Sequence, residues 1–575
     1  MGFTDIKDIE EAVRTKEKEL NPLYERFNND YKKHWLMEPF QLGKKGEYAN
    51  YTTNELHNLA SKVVDTLSKA PVKFQVPISD ENEKKRKESA NDERFGYGVT
   101  RLANEGLRAI MQPSIQSQSS FFAPVRGWVG GLAVLNKTDD DKRNTYPVAR
   151  IWDILNTTWG LGRSELDWAC HTRYIKESNA KAEFPDANIS GDVAVRDYWD
   201  TKWHITYIVS GGKLRKFLFG GKRNEVIRQE HNIGHIPVLI TQVGSAPYIQ
   251  AIELSDTISA WGESIFAPDR NIVDVKNELI TLLRTIVKMG AHNPLAVTFD
   301  GSGGAAPPLF DKNPYYSGSI VYLDRSKGEE VKELYKPEMP KDTSGLLSVV
   351  QHDLDAGGAA SILKGQTPFP STGIGTSLLM EAASSILYPS QKCVEEVLEW
   401  IVNELKVQYH GGGYNKMKLR GWDSSNKYFD IIPGKDDVSD DRHIQATLMP
   451  KLPEDEWGKV RSAATLAQNN LMSIQSIMDR YISVEDTDAE MGNIYKEKGN
   501  LLPVVLKMRI AAALLKDRPD KPELAFAVLQ EAAQGGGNGG SPEAGRLQPG
   551  GGGIGSPAEI EEDLRLARMG MTRGR

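Results

Sequence analysis

The sequence predicts an α+β chain of several units, and three observations carry the prediction. Its 575 residues correspond to about four domains at roughly 150 residues each. Apolar residues recur at helical steps over 1–70, 269–289 and 377–409. Between the first two of these stretches, 121–245 is built of short aromatic and β-branched segments closed by glycine pairs, as antiparallel hairpins are. Hydrophobic residues make up 39% and glycine adds 52 residues, together in the ordinary globular range of about 45–50%.

The charge balance excludes a protein that coats nucleic acid by bulk attraction, because 78 acidic residues outnumber 71 basic ones. Cys170 and Cys393 are too few for a disulfide framework and fit free thiols in a reducing compartment. Met1–Glu11 (MGFTDIKDIEE) has no basic start followed by an apolar stretch, and Ile6 stands where a myristoylation signal at Gly2 wants Ser or Thr. No apolar run reaches the 18 or so residues of a membrane span. A soluble protein, intracellular when made and without a membrane partner, is expected.

In chain order, Leu56, Leu59, Val63, Val64 and Leu67 share one helical face, and Pro71 ends that helix. The mixed charge run Asp80–Arg94 reads as a solvated helix face. Trp203–Val209 and Lys213–Leu218 read as hairpin strands. Trp152, Trp159, Trp168, Trp199 and Trp203 read as core or interface. A helix over 269–289 carries Ile272, Val275, Leu279, Leu282, Leu283 and Ile286, with a capping start at Asp269 and a stop at Gly290. Leu295–Phe299, Ser319–Leu323 and Glu330–Tyr335 form a small β insertion.

A short helix from Asp342 to Ala356 places Leu346, Leu347, Val350 and Leu354 on one face before Gly357-Gly358. The Gly/Pro/Ser/Thr loop Ser361–Thr376 leads to Ser377, which caps a long helix to Tyr409, kinked at Pro389 and stopped by Gly411-Gly412-Gly413. Strands follow over 415–433 and a helical region over 437–532. Glycine supplies 11 of the 24 residues from Gln534 to Pro557, a composition that predicts a disordered tail.

Enzyme signatures are weak. Gly131–Thr138 (GLAVLNKT) has Asn136 where a phosphate loop needs its second glycine. His231 and His235 have zinc-helix spacing, but Gly234 and Pro237 favour a turn. Gly96-Tyr97-Gly98 lacks the third glycine of a dinucleotide site. Asp436, Asp437, Asp440 and Asp441 follow a Pro-Gly turn and read as solvated. No catalytic constellation, metal site or cofactor is expected.

The order from 269 to 409 (helix, small β insertion, short helix, flexible loop, long proline-kinked helix) resembles the core of the portal proteins of tailed bacteriophages. His231–Leu239 (HNIGHIPVL) looks like the turn and strand before a portal stem, and Ala359–Thr376 followed by Leu378–Pro389 looks like a tunnel loop entering a spine helix. The resemblance covers roughly residues 20–520. It implies a wing at 1–268, stem helix 1 at 269–292, a clip at 293–340, stem helix 2 at 341–358 and a tunnel loop at 359–376. Spine and wing return follow at 377–436, a helical crown at 437–533 and the glycine-rich tail at 534–575.

The resemblance further implies a non-enzymatic subunit of a twelve-membered ring at one capsid vertex of the virion, assembled in the host cytoplasm. Double-stranded DNA would be packaged and ejected through its axis. The implied partners are the terminase large subunit, a head-tail adaptor, and the major capsid and scaffolding proteins. Lys276, Arg284, Lys288, Asp353 and Asp355 would then line the stem channel. The near-balanced charge of these helices suits a conduit, since each phosphate neutralised by Lys or Arg strengthens retention. Lys364, Gln366, Thr367, Phe369, Ser371 and Thr372 would touch DNA from the tunnel loop, with Gly365, Gly373 and Gly375 giving it freedom. Phe310, Tyr315 and Tyr316 are the clip's candidate interface anchors. Two other readings are a different virion structural protein (adaptor or capsid subunit) and an enzyme centred on His204, His231 and His235.

Overall fold

The computed structural model describes residues 5–77, 83–137, 145–187, 189–209, 223–244, 258, 261–291, 295–299, 320–328, 343–357, 373–411, 414, 417–423, 427–434, 437–438, 442–450, 463–469, 471–478, 490–491, 494, 496, 508, 510–512, 522 and 526–529. The chain is a mixed helix-and-sheet protein of the α+β class. It divides into two units, Met1–Glu485 and Asp486–Arg575. In the second, the described residues are helical and Ala511 is buried.

Asp5 accepts the Lys7 amide at 2.9 Å and opens α1 (Ile6–Glu19), whose last turn carries Lys16 and Lys18 where the helix dipole favours cations. Pro22 lies at the start of α2 (Asn21–Trp35), which Leu36 closes in the left-handed region. In α3 (Glu55–Ser68) the buried face is Leu56, Leu59, Val63 and Leu67, as the periodicity predicts. The strand β1 (Val72–Gln75) follows Pro71.

From Glu83 on, the charge run lies in α4 (Glu83–Ala109), and its solvated reading needs correction; 80–82 lie outside the described residues. Asp92 is fully buried, and Arg442 donates to Asp92 at 2.7 Å and to Glu88 at 2.8 Å, so one edge of the run is neutralised inside. Gly98 in this helix is a packing glycine: a Cβ there would stand 2.7 Å from Leu419 Cβ. Residues 121–126, expected in the β-rich region, instead finish α5 (Ile115–Arg126), which Ser114 caps. Gly127 ends it at φ 74, where an added Cβ would meet the Gly262 carbonyl oxygen at 2.3 Å.

The β-rich region holds β2 (Trp128–Lys137), β3 (Thr145–Trp152), β4 (Thr157–Leu161), β5 (Leu166–Ile175), α6 (Glu177–Glu183), β6 (Val193–Asp200), β7 (Trp203–Val209), β8 (Arg223–Glu230) and β9 (Val238–Gln242). They form an antiparallel three-stranded sheet, β3-β2-β9, and an antiparallel five-stranded one, β4-β5-β6-β7-β8. Gly131–Lys137 is therefore strand and not a phosphate loop. Lys213–Leu218 lies outside the described residues.

Alternation along the five-stranded sheet gives it two apolar faces. One packs Trp168, Cys170, Tyr198, Ile205 and Tyr207 on Ile9 and Val13 of α1. The other packs Ala169 and Trp199 on Leu132, Val134 and Trp152 of the smaller sheet. Trp152, Trp159, Trp168 and Trp199 are buried, matching their core reading, and Trp203 is half-buried. A buried charge pair also fastens α1: Arg196 donates to Glu10 at 2.7 Å and Glu17 at 2.6 Å, and the Tyr207 hydroxyl donates to Glu10 at 3.1 Å.

Beyond lie α7 (Ile272–Ala291), β10 (Leu295–Phe299), β11 (Ile320–Asp324), α8 (Thr343–Gly357) and α9 (Gly373–Gly411), then β12 (Leu419–Trp422), β13 (Tyr428–Ile431), β14 (Gln445–Leu448) and the short α10 (Ile474–Ile477). The strands β10 and β11 pair in parallel, β12 and β13 antiparallel, and β14 pairs antiparallel with β1. Two boundaries differ from expectation. Gly373–Thr376, assigned to the loop, already belong to α9. The strand β14 lies inside the stretch expected to be a helical crown. Glu330–Tyr335 and the tail from 530 lie outside the described residues.

The main core gathers on the second half of α9. Val394, Val397, Leu398, Ile401, Val402 and Leu405 are buried against Phe95 and Val99 of α4, Phe74 of β1, and Val129 and Ala133 of β2. Each such side chain contributes about 1.5–3 kcal/mol by leaving water.

Candidate functional site

The region that the sequence marks as a stem begins with α7, 20 residues and thus about 30 Å long. It starts three residues later than expected, because Asp269 sits in the preceding turn and its carbonyl accepts the Val273 amide. The N-terminal helices clamp this start. Fully buried Asp30 accepts two bonds from Arg270, at 2.9 and 2.8 Å, and one from Ser264 at 2.7 Å, while Lys33 pairs with Asp274 at 2.8 Å.

Further along, α7 holds an extended segment by a ladder of side chains. The Thr53 amide donates to Asn277 Oδ1 at 2.8 Å, the Tyr51 amide to Thr281 Oγ1 at 3.0 Å and the Ala49 amide to Thr285 Oγ1 at 2.9 Å. The spacing explains the fit: four helical residues rise about 6.0 Å and two extended residues about 6.6 Å. Thr285 gives its own proton to the Thr281 carbonyl, so its oxygen is left to accept.

The predicted channel residues divide. Lys276 is a correction: it is buried, donating to Glu55 at 2.6 Å and to Gln351 of α8 at 2.5 Å, so within the subunit it is an internal tie between α3, α7 and α8. Arg284 is exposed but engaged, donating to the Asn50 carbonyl at 2.8 Å with its guanidinium over the Tyr51 ring. Lys288 and Asp353 are exposed, and Asp355 lies in the last turn of α8. The loop residues Lys364, Gln366, Thr367, Phe369, Ser371 and Thr372, and the clip residues Phe310, Tyr315 and Tyr316, lie outside the described residues.

Both α7 and α8 leave apolar side chains in water. On α7, Val275 and Leu282 share a stripe with Glu278 and are 48% and 37% exposed. On α8, Val350 and Leu354 are buried against Val273, but Leu346 and Val349 are 51% and 57% exposed. Leu346 was expected on the buried face with Val350. The helix turns it outward.

A second ladder lies on α9. Gln391 donates to the Leu448 carbonyl at 3.0 Å, Glu395 accepts the Leu448 amide at 2.9 Å, Glu399 accepts the Ala446 amide at 3.2 Å, and Asn403 both accepts from and donates to Ile444 at 3.0 and 2.8 Å. The helix thus completes the edge of β14 that β1 does not cover. Two histidines also reach it: His443 meets Glu399 at 2.6 Å, and His235 Nε2 meets both oxygens of Glu404 at 2.8 Å. The Glu404 hydrogen bond raises the His235 pKa above its ordinary value.

That contact separates the histidines of the enzyme reading. His231 lies in a turn shaped by Asn232 at φ 53 and Gly234 at φ 88, and bonds the Asp200 carbonyl at 2.8 Å. His204 stacks on Trp199 with centroids 3.9 Å apart. His204 and His231 line a cleft between the two sheets, whereas His235 is held on α9. The cleft's lining includes no Ser, Thr or Cys among the described residues; Cys170 lies on the opposite face of β5, toward α1, where burial pushes its thiol up to about 12. No group of three potential ligands able to hold a metal occurs among the described residues, nor does a helix long and apolar enough to cross a membrane.

No family model and no curated protein matches this chain. The functional reading therefore stands on the order of elements and on the stem. Sequence reasoning missed both ladders, although each leaves a mark: short polar residues four apart (277, 281, 285 and 391, 395, 399, 403) beside an apolar helical row.

Proposed function

We propose that this chain is a non-enzymatic, ring-forming subunit of a DNA conduit of the phage-portal kind. What carries the reading is the pair of stem helices, each with an apolar stripe left in water: Val275 and Leu282 on α7, Leu346 and Val349 on α8. Exposed rows on adjacent helices are the mark of a surface that a further protein covers. The order of α7, a parallel strand pair, α8 and the 39-residue α9 with Pro389 inside it supports this reading. In that plan the neighbouring copy covers the stem and double-stranded DNA passes along the axis.

The remaining parts follow from the same plan. The tunnel loop expected over 359–376 would touch the DNA backbone through Lys364 and its neutral neighbours, and the clip expected over 293–340 would meet the terminase and later the adaptor. Capsid and scaffolding proteins would contact the outer surface, and the assembled ring would sit at the capsid vertex of the virion. Single-particle imaging of the purified full-length protein tests the proposal: rings of about a dozen copies with an open axial hole are expected from the portal plan, and closed shells or compact small oligomers would refute it.

A further inference from the structure

Between the two sheets lies a cleft of about 540 Å³, within the range of about 300–1,000 Å³ usual for small-molecule sites. Its floor is the apolar contact of Leu132, Val134 and Trp152 with Trp199. Its two walls carry opposite charge imbalances. On the β3 wall Arg150 is exposed and makes no ion pair among the described residues. On the facing wall Arg173 must serve two carboxylates, donating to Asp197 at 3.1 Å and to Glu183 at 3.0 and 2.6 Å. The cleft's Arg and acidic side chains balance in number but not in place: Arg150 stands without a carboxylate among the described residues, whereas two carboxylates share Arg173, and one of them, Asp197 Oδ1, also lies 3.9 Å from His204 Nε2.

The imidazoles add acceptors. His171 stacks on Trp152 across the cleft, with centroids 4.8 Å apart and planes within 7°. Thr157 gives its hydroxyl proton to the Asp153 carbonyl at 2.9 Å, so its oxygen accepts from His171 Nδ1–H at 3.1 Å. Burial holds this ring neutral, with its pKa down at about 4, which leaves Nε2 as a bare lone pair. By the same logic Thr206 donates to Asp197 at 2.8 Å and accepts from His204 Nε2 at 3.3 Å. One face of Trp152 and one of Trp199 are already covered by these rings, which leaves less room for a stacked base or sugar.

We propose that the inter-sheet cleft binds a free α-amino acid, its carboxylate on Arg150 and its ammonium group on the Asp197–Glu183 wall beside His171. A zwitterion matches the separated charges, whereas an anion or a cation alone would satisfy one wall and leave the other uncompensated. The site lies within one subunit and does not depend on the ring.

Saturation-transfer NMR on the purified full-length protein, with each of the twenty common amino acids at about 1 mM, where a millimolar Kd is detectable, tests it. Transfer to at least one amino acid is expected. Its methyl ester, which lacks the carboxylate, and its N-acetyl form, which lacks the ammonium group, should each bind about tenfold or more weakly. Arg150→Ala, a change at an exposed position, should weaken the free amino acid to a similar degree yet leave the ester's residual binding unchanged. His171→Phe, which keeps the stack on Trp152, should weaken the free amino acid too. Absence of transfer from every amino acid, or unchanged binding in the Arg150 variant, would overturn the proposal.

Discussion

The helices α7 and α9 each carry a row of polar side chains four residues apart that grips extended chain at every second residue, but their rungs and surroundings differ. On α7 the rungs are neutral, Asn277, Thr281 and Thr285, and they hold the lone segment 49–53. On α9 two of the four rungs are carboxylates, Glu395 and Glu399, and they hold a strand already paired with β1. The opposite faces differ as well. The second half of α9 is buried in the main core, whereas α7 shows Val275 and Leu282 to water. The same spacing rule thus produces an internal scaffold in one place and, in the other, a helix braced on one side that leaves apolar side chains in water.

Breaking the α9 ladder should have the largest effect. Asn403→Ala leaves both polar groups of Ile444 without their partner, at about 1–3 kcal/mol for each group that stays buried. Hydrogen exchange at 444–448 should accelerate by one to several orders of magnitude. An unchanged rate would mean that β1 alone holds the strand. On α7, Thr281→Val removes one acceptor while keeping the shape. Because segment 49–53 is half-exposed and water can substitute, the expected cost is about 0.5–1.5 kcal/mol, read as faster exchange of the Tyr51 amide with little change elsewhere.

The charged contacts of α9 also make it the pH-sensitive partner of the pair. Glu404 raises the His235 pKa in the folded chain, so this contact contributes stability that is complete below the ordinary value of 6.5 and is lost as pH rises through the raised value. The imidazole is 37% exposed, and solvent screening keeps the effect below about 1 kcal/mol. A melting-temperature series against pH should lose this falling limb in His235→Ala. The neutral rungs of α7 titrate nowhere in the range, and Thr281→Val should shift the whole curve without altering its shape.

Much of this was legible in the sequence, and what was not shares a cause. Apolar periodicity located α3, α7 and α9, and the piece Leu295–Phe299 is β10 to the residue. Periodicity registers only apolar faces, so a polar row that grips backbone looks the same as one facing solvent. That is why nothing singled out Asn277, Thr281, Glu395 and Glu399 in the sequence and why Asp92 and Lys276 were read as solvated or channel-facing. It also cannot say which members of an apolar row are buried and which stay in water, which separates Val350 from Leu346 on α8. Local turn chemistry misled at Gly373–Thr376, where α9 runs through residues that favour a loop.

The claim that the open side of α7 and α8 awaits a second copy is tested most directly by native mass spectrometry of the full-length protein beside its Val275→Asp/Leu282→Asp variant. Both positions are exposed, so the changes should alter subunit stability by no more than about 0.5 kcal/mol each, which circular dichroism would verify. The account predicts a large ring for the wild-type chain and a folded monomer for the variant. A wild-type monomer, or a variant that assembles as the wild type does, would contradict it.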